Sequence, residues 1–339
     1  MNNTIKAFAA MEQGAGFEKF EFDAGPLGSE EVEIKVRFCG ICHSDLSMRN
    51  NEWALTEYPF VGGHEVVGEV IAAGDRVKGV NIGDTVGLGW NSKTCGHCEQ
   101  CVAGRQIMCR DLEGTIVGRH GGFADRVRCH YSWAIGIPEG VSAEKAGPLF
   151  CGGITVFNPL YQYRISPTAR VGVIGIGGLG HLALKFADKW GCEVTAFTSR
   201  LEKKEELRSM GADRVVDSRN PSELEGEKGR FDLILSTVNV SLDWSLYIDA
   251  LAPGGKLHVL GAVLEPIPIR TFQILQQKSV SSTATGSPSV VSKMLEFCAR
   301  HKIETQIEKF PMSKINEAIE HLENGNARYR VVLENDFDA

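Results

Sequence analysis

The chain has 339 residues, 43% of them hydrophobic, and a formal net charge of -7 at pH 7. That length is too great for one ordinary core, so two domains are expected. No apolar run reaches the roughly 18 residues that span a bilayer, the opening "MNNTIKAFAAMEQGAG" lacks the basic-then-apolar order of a signal peptide, and no long basic patch is present. A cytoplasmic globular protein is therefore expected, with neither membrane nor nucleic acid as partner.

The first 150 residues read as short strands. In "EEVEIKVRF" the residues Val32, Ile34, Val36 and Phe38 alternate onto one face. "GHEVVGEVIAAGDRVKGVNIGDTVGLG" breaks into strands at Gly74-Asp75 and Gly83-Asp84, which suggests an antiparallel, barrel-like β domain. "FCGICHSD", "GGHEVVGEV" and "LFCGGITVF" carry Cys42, His64 and Cys151. Spacing alone does not join them: each taken singly fits core packing, and Cys39 with Cys42 also fits a redox C-x-x-C pair.

Between these lies "TCGHCEQCVAGRQIMC", where Cys95, Cys98, Cys101 and Cys109 are separated by two, two and seven residues. Clustered cysteines in a reducing compartment point to metal rather than disulfides. Four thiolates fill a tetrahedral zinc sphere and leave no position for substrate, so this zinc is expected to be structural.

"ARVGVIGIGGLGHLALKFADKWGCEVTAFTSR" follows. Val171, Val173, Ile174 and Ile176 read as a buried strand; Gly175, Gly177 and Gly180 fit G-x-G-x-x-G; Leu179, Leu182, Ala183, Phe186 and Trp190 recur at helical spacing; "CEVTAF" is a second strand. Strand, glycine turn, helix and strand make the dinucleotide-binding unit, with pyrophosphate at the helix N-terminus. Alternation continues through helix "EKKEELRSMG", strands "DRVVD" and "FDLILSTV", helix "LDWSLYIDALA", turn "PGG" and strand "KLHVLG". The second strand ends in Thr198, Ser199 and Arg200, with Lys203 and Lys204 beyond, where an NAD site would place an acid. The hydroxyls can donate to a 2′-phosphate and Arg200 can pair with it, so NADP(H) is the expected cofactor. After residue 288 come "VVSKMLEFCARHK", "PMSKINEAIEHLENG" and a terminal strand in "RYRVVLE".

Taken together, "CGICHSD", "GGHEVVGEV", the four-cysteine lobe, "CGGITVF" and "GVIGIGGLGH" resemble the zinc-dependent medium-chain alcohol dehydrogenases, in order and over essentially the whole chain. The chain is most similar to the cinnamyl-alcohol-dehydrogenase-like branch, and within it to broad-range bacterial NADPH-dependent aldehyde reductases. The resemblance implies an α/β chain: a GroES-like β-barrel catalytic domain (1–152 and 288–339, with the structural zinc lobe at 91–110) and a Rossmann NADP(H)-binding domain (153–287). It implies a catalytic zinc on Cys42, His64 and Cys151, with Glu65 approaching the metal during ligand exchange and Asp45 fixing the His64 tautomer. Two zinc ions per chain result.

The same resemblance matches Gly175, Ile176, Gly177, Gly178, Leu179 and Gly180 to the pyrophosphate turn, Thr155 to a residue against the nicotinamide, and His43 and Arg330 to cofactor phosphate contacts. It puts Thr237, Gly261 and Thr285 at the adenosine and nicotinamide ends. Ser44 matches the residue that relays a proton to the alkoxide. The residue three positions on, His in many relatives, is Ser47, which has no titration near neutral pH; the relay is expected to end at ribose hydroxyls and water. Trp53 and Trp90 are candidate pocket walls, and Trp244 is expected to pack inside the cofactor domain. The implied reaction is NADPH-linked reduction of an aldehyde to a primary alcohol. NAD-linked oxidation of a secondary alcohol or polyol would favour an acid at position 198; a non-catalytic relative or a zinc-free quinone reductase would lack the Cys42, His64, Cys151 set. A homodimer is implied by resemblance, with the end of "KLHVLGAVLEPIPIR" as a pairing edge limited by Pro266 and Pro268.

Overall fold

The computed structural model describes residues 3–337. The chain forms two compact units: one runs up to Cys151 and resumes at Ser287, and the other is Gly152–Gly286. Among the described residues no helix is long and apolar enough to cross a membrane.

The first unit is built on a seven-stranded sheet. Its order is Ile307–Pro311, Arg330–Glu334, Glu31–Ile41, Val66–Ala73, Thr85–Leu88 and Ile135–Gly136, with Arg126–His130 also paired to Glu31–Ile41. Only Ile307–Pro311 and Arg330–Glu334 run parallel; the other pairs are antiparallel. Glu31–Ile41 is the organising strand, bonded along its length to three others. Val32, Ile34, Val36 and Phe38 are buried as their alternation requires. Glu33, on the other face, is buried too, because Arg126 and Arg128 cover it, with Nη1 and Nε at 2.9 and 2.6 Å from its carboxylate. A buried charge persists only where it is paired in this way.

The second unit carries a six-stranded, all-parallel sheet in the order Arg214–Asp217, Glu193–Thr198, Arg170–Ile174, Phe231–Ser236, Leu251–Val259 and Ser279–Ser281. The order reverses between Arg170–Ile174 and Phe231–Ser236, the switch point beside which α/β sheets bind ligands. Phe197, Phe231, Tyr247 and Ile248 pack around Trp244, which is completely buried within this unit.

Three features depart from the sequence pattern. The fifth strand begins at Leu251, directly after helix Trp244–Ala250, and absorbs Pro253-Gly254-Gly255 as an irregularity, with Gly254 at φ +75° and a register shift between Phe231 and Leu233. The expected pairing strand at the end of "KLHVLGAVLEPIPIR" does not form: residues 260–270 contain no strand. Pro266 and Pro268 lock φ and lack donors. The sheet edge is instead Ser279–Ser281, three residues too short and too polar to show an apolar pattern.

Candidate active site and metal centres

Strand Glu31–Ile41 delivers Cys42 to the start of helix His43–Arg49, and the turn is fixed locally. The Asp45 carboxylate accepts from the Cys42 N–H at 2.9 Å through one oxygen. Its other oxygen takes the Gly63 N–H at 2.8 Å and faces His64 Nδ1 at 2.9 Å. Asp45 is buried, so these bonds hold His64 with Nε2 turned to the cysteines. His64 Nε2 lies 3.2 Å from Cys151 Sγ, and Cys151 Sγ lies 3.7 Å from Cys42 Sγ. One donor atom each from Cys42, His64, Glu65 and Cys151 falls within 4.8 Å of all the others. Residues separated by more than a hundred positions thus form one buried N/S/O donor set.

Its ionisable groups are coupled to one another. The hydrogen bond with Cys151 holds the Cys42 thiol well below the ordinary thiol range despite burial, helped by Arg330, while the same bond and burial push Cys151 up. Burial disfavours the His64 cation, but Asp45 and Cys42 raise His64 well above the usual imidazole value. Burial raises Glu65, whose Oε1 accepts from Arg330 Nη2. Burial also works against the Arg330 charge, but Glu65 and the two thiols hold the guanidinium charged. Two sulfurs and an imidazole nitrogen match zinc, and three protein ligands leave a coordination position open. Cys39, by contrast, is buried in the core with its sulfur 3.7 Å from the Gly40 carbonyl oxygen, and burial holds its thiol well up, which argues against a redox pair with Cys42.

Ser44 Oγ is 3.7 Å from Cys42 Sγ, at the rim of the donor set. Ser47 is buried and donates to Glu52 Oε2 at 2.7 Å, and this bond lowers the Glu52 carboxyl. Glu52 was not legible as a partner, because it lies beyond the helix end. Trp90 stands edge-on to His64 with ring centroids 5.0 Å apart, and Trp53 is edge-on to Trp90 at 5.9 Å.

Cys95, Cys98, Cys101 and Cys109 form the second group. Cys109 and Cys95 sulfurs are 3.5 Å apart, Cys95 and Cys101 are 3.9 Å apart, and so are Cys98 and Cys109. The Cys98 N–H points at Cys95 Sγ at 3.4 Å. Neighbouring N–H donors bring the Cys95 thiol to about 6, whereas burial pushes Cys101 to about 12. The four sulfurs suit one closed tetrahedral zinc.

In the second unit two glycines of G-x-G-x-x-G are required by close approach. Gly175 sits at φ +81°, and a Cβ there would overlap Val238. Gly177 faces open space, and a Cβ on Gly180 would overlap the Gly175 carbonyl oxygen. Helix Gly180–Trp190 follows, so Ile176, Gly178 and Leu179 line the approach to its N-terminus. The Thr237 hydroxyl, across the switch point, donates to the Gly175 carbonyl at 2.6 Å. Gly261 packs so closely that a Cβ would overlap the Val238 carbonyl. Thr155 is buried and donates to the Ala284 carbonyl at 2.9 Å; Asn158 Nδ2 donates to the Thr285 carbonyl at 2.7 Å. At the second strand end Thr198 is buried and accepts the Arg200 N–H at 3.1 Å, while Ser199 and Arg200 are exposed and Lys203 is partly so. Asp217, the cross-strand partner of Thr198, went unforeseen; it caps the Arg219 N–H at 2.9 Å with Arg219 Nε at 3.7 Å.

Two family models match: the alcohol dehydrogenase GroES-like domain over residues 28–139 and the zinc-binding dehydrogenase over residues 178–300. The chain is 53% identical to the aldehyde reductase AdhA of Synechocystis sp., over 97% of this chain and 98% of that one. The chain belongs to the zinc-binding alcohol dehydrogenase family. Among solved structures of this family, a cinnamyl alcohol dehydrogenase of Sorghum bicolor matches with a TM-score of 0.92 at 35% identity, covering 98% of this chain and 97% of that one. A cinnamyl alcohol dehydrogenase of Helicobacter pylori complexed with NADP(H) matches at 0.89 with 28% identity, covering 98% and 99%. Set against this dehydrogenase family, His43 is exposed at the start of the Cys42 helix, whereas Arg330 is buried against Glu65.

Proposed function

We propose that the chain is a zinc-dependent, NADPH-linked aldehyde reductase, reversible as an alcohol dehydrogenase and broad in range. One observation carries this reading: Cys42, His64 and Cys151, with Asp45 behind His64 and Ser44 beside Cys42, form a buried three-ligand donor set with a hydroxyl at its rim. When bound, zinc supplies Lewis acidity toward the substrate carbonyl oxygen and NADPH supplies the hydride.

The chain's own residues do the rest. Asp45 keeps a proton on His64 Nδ1, so that Nε2 is the ligand atom. As hydride transfer builds negative charge on the substrate oxygen, the Ser44 hydroxyl donates a proton there and accepts a replacement. Ser47 keeps its own proton on Glu52 and stays out of that path. Trp90 and Trp53 form an apolar wall beside His64. Cys95, Cys98, Cys101 and Cys109 hold a second, structural zinc. Gly175 to Gly180 receive the pyrophosphate, and Thr198, Ser199, Arg200 and Lys203 receive the 2′-phosphate. Thr155, Thr237, Gly261 and Thr285 line the rest of the cofactor, with His43 and Arg330 toward its phosphates. The enzyme works in the cytoplasm as a homodimer.

The test combines metal analysis with kinetics. The wild type should hold two zincs. His64→Ala and Cys151→Ala should abolish reduction across a panel of aliphatic, aromatic and cinnamyl aldehydes while NADPH still binds in a fluorescence titration. Aldehyde reduction surviving in either variant would refute the ligand set.

A further inference from the structure

Gly40, two residues before Cys42, has no backbone reason to be glycine. It lies in strand Glu31–Ile41, opposite Val332, and is absent from the residues at positive φ. Its N–H donates to the Glu65 carbonyl at 3.0 Å, which locks the two backbones together. A Cβ at Gly40 would overlap Glu65 Oε2 and lie 3.0 Å from both Cβ and Cδ of Glu65. The missing side chain is therefore space that the Glu65 carboxylate occupies.

That carboxylate has few other places to go. It is fully buried. Its Oε1 is taken by Arg330, Oε2 has no hydrogen-bond partner, and the remaining side of the group faces Cys42, His64 and Cys151, within 4.8 Å. A fourth protein ligand would close the position that a substrate oxygen needs.

We infer that Gly40 is a positioning residue: the room it leaves lets the Glu65 carboxylate rest against Arg330 rather than press further onto the neighbouring metal donors, and so keeps the fourth coordination position open. The inference rests on the zinc reading above. Gly40→Ala should drive the carboxylate onto the donor set and convert an open three-ligand site into a closed four-ligand one.

Cobalt substitution tests this without relying on turnover. In the wild type loaded with Co2+, added imidazole should shift the visible d–d spectrum by entering the open position. In Gly40→Ala the cobalt content should be unchanged, but the imidazole-induced shift should vanish and metal loss to a chelator should slow. Turnover of the zinc form should fall roughly 10–100-fold, as expected when groups that orient metal ligands are disturbed. Gly40→Ala/Glu65→Asp, with its shorter side chain, should recover the imidazole response. A Gly40→Ala variant that answers imidazole as the wild type does, or loses metal faster, would overturn the inference. If Gly40→Ala does not fold, the double variant decides: a folded, imidazole-responsive protein supports the carboxylate clash, and a second failure to fold shows that the space serves packing alone. A wild type that binds only one metal would instead strike at the zinc reading itself.

Discussion

On the proposed NADPH reading, Arg200 and Thr198 would divide the work of cofactor choice, because one is exposed and the other buried. Arg200 reaches solvent, where its guanidinium can meet a phosphate; Thr198 accepts the Arg200 N–H and so shapes the strand end. Asp217 lies opposite Thr198, but the Arg219 backbone N–H and guanidinium flank its carboxylate. Arg200→Ala should weaken NADPH about ten- to a hundredfold, since a charge-assisted hydrogen bond contributes about 1.5–3 kcal/mol and each 1.4 kcal/mol is a factor of ten, and should leave NADH nearly unchanged. Thr198→Asp should go further and shift preference toward NADH, because its carboxylate repels the phosphate dianion and offers the ribose an acceptor. The readout is kcat/KM for both cofactors at fixed ionic strength. Equal loss of both cofactors in Arg200→Ala would show that "FTSR" is only a solvated strand end. At this scale the glycine turn was legible, because Gly175 and Gly180 serve local steric needs. Asp217 was not, because cross-strand neighbours depend on register, and Gly40 was not, because its need is set by a side chain 25 positions away.

Among the elements, the four-cysteine lobe and the fifth strand of the parallel sheet make opposite use of burial. Helix Glu99–Val102 has one buried residue, Cys101, while Val102 and Met108 are largely exposed. With so little apolar surface to bury, the segment needs its metal to hold a fold. Cys98→Ser should reduce zinc from two to one per chain and lower the thermal midpoint; full zinc content at normal stability would rule the structural site out. His258, on strand Leu251–Val259, is completely buried. Its Nδ1 faces the hydroxyls of Tyr163 at 3.0 Å and Ser281 at 3.1 Å, and its Nε2 faces Thr283 at 3.0 Å, so it ties the edge strand to the sheet. Burial lowers its pKa from 6.5 to about 4. The folded state thus binds fewer protons at this site than the unfolded chain. The stability it contributes is complete above pH 6.5 and is lost as pH falls toward 4. His258→Gln should flatten the fall in chemical-denaturation stability across that window; an unchanged slope would assign the acid sensitivity to other groups. The alternation of Val32 to Phe38 announced its strand because one face meets the core. Ser279–Ser281 could not announce itself, since it is held by parallel pairing and by His258 rather than by apolar residues.

At the scale of the molecule, the donor set shows where sequence reasoning stops. Cys42, His64 and Cys151 meet because strand Glu31–Ile41 pairs with Val66–Ala73 and the chain returns at Cys151, and no spacing rule contains that pairing. Resemblance to a family supplied the grouping, and the side-chain geometry brings it together. The dimer is the reverse case: the proposed pairing strand is missing, but the surface around it carries an argument. Leu264, Phe272 and Leu275 are 73%, 89% and 64% exposed, and Ile269 between them is exposed too, all in the nucleotide unit. Exposed large apolar side chains within one segment are what the proposed homodimer would cover. A second copy of the chain is the occupant that the homodimer requires, with contact made by side chains of 264–275 rather than by a strand ladder, since Pro266 and Pro268 lack the donors for one. Light scattering at micromolar concentration should give twice the chain mass. Leu264→Asp/Phe272→Asp should halve it with zinc content intact, because a buried like-charge pair at a two-fold contact is strongly disfavoured. If the double variant remained a dimer, the contact would lie elsewhere on the chain, and a monomeric wild type would remove the dimer altogether.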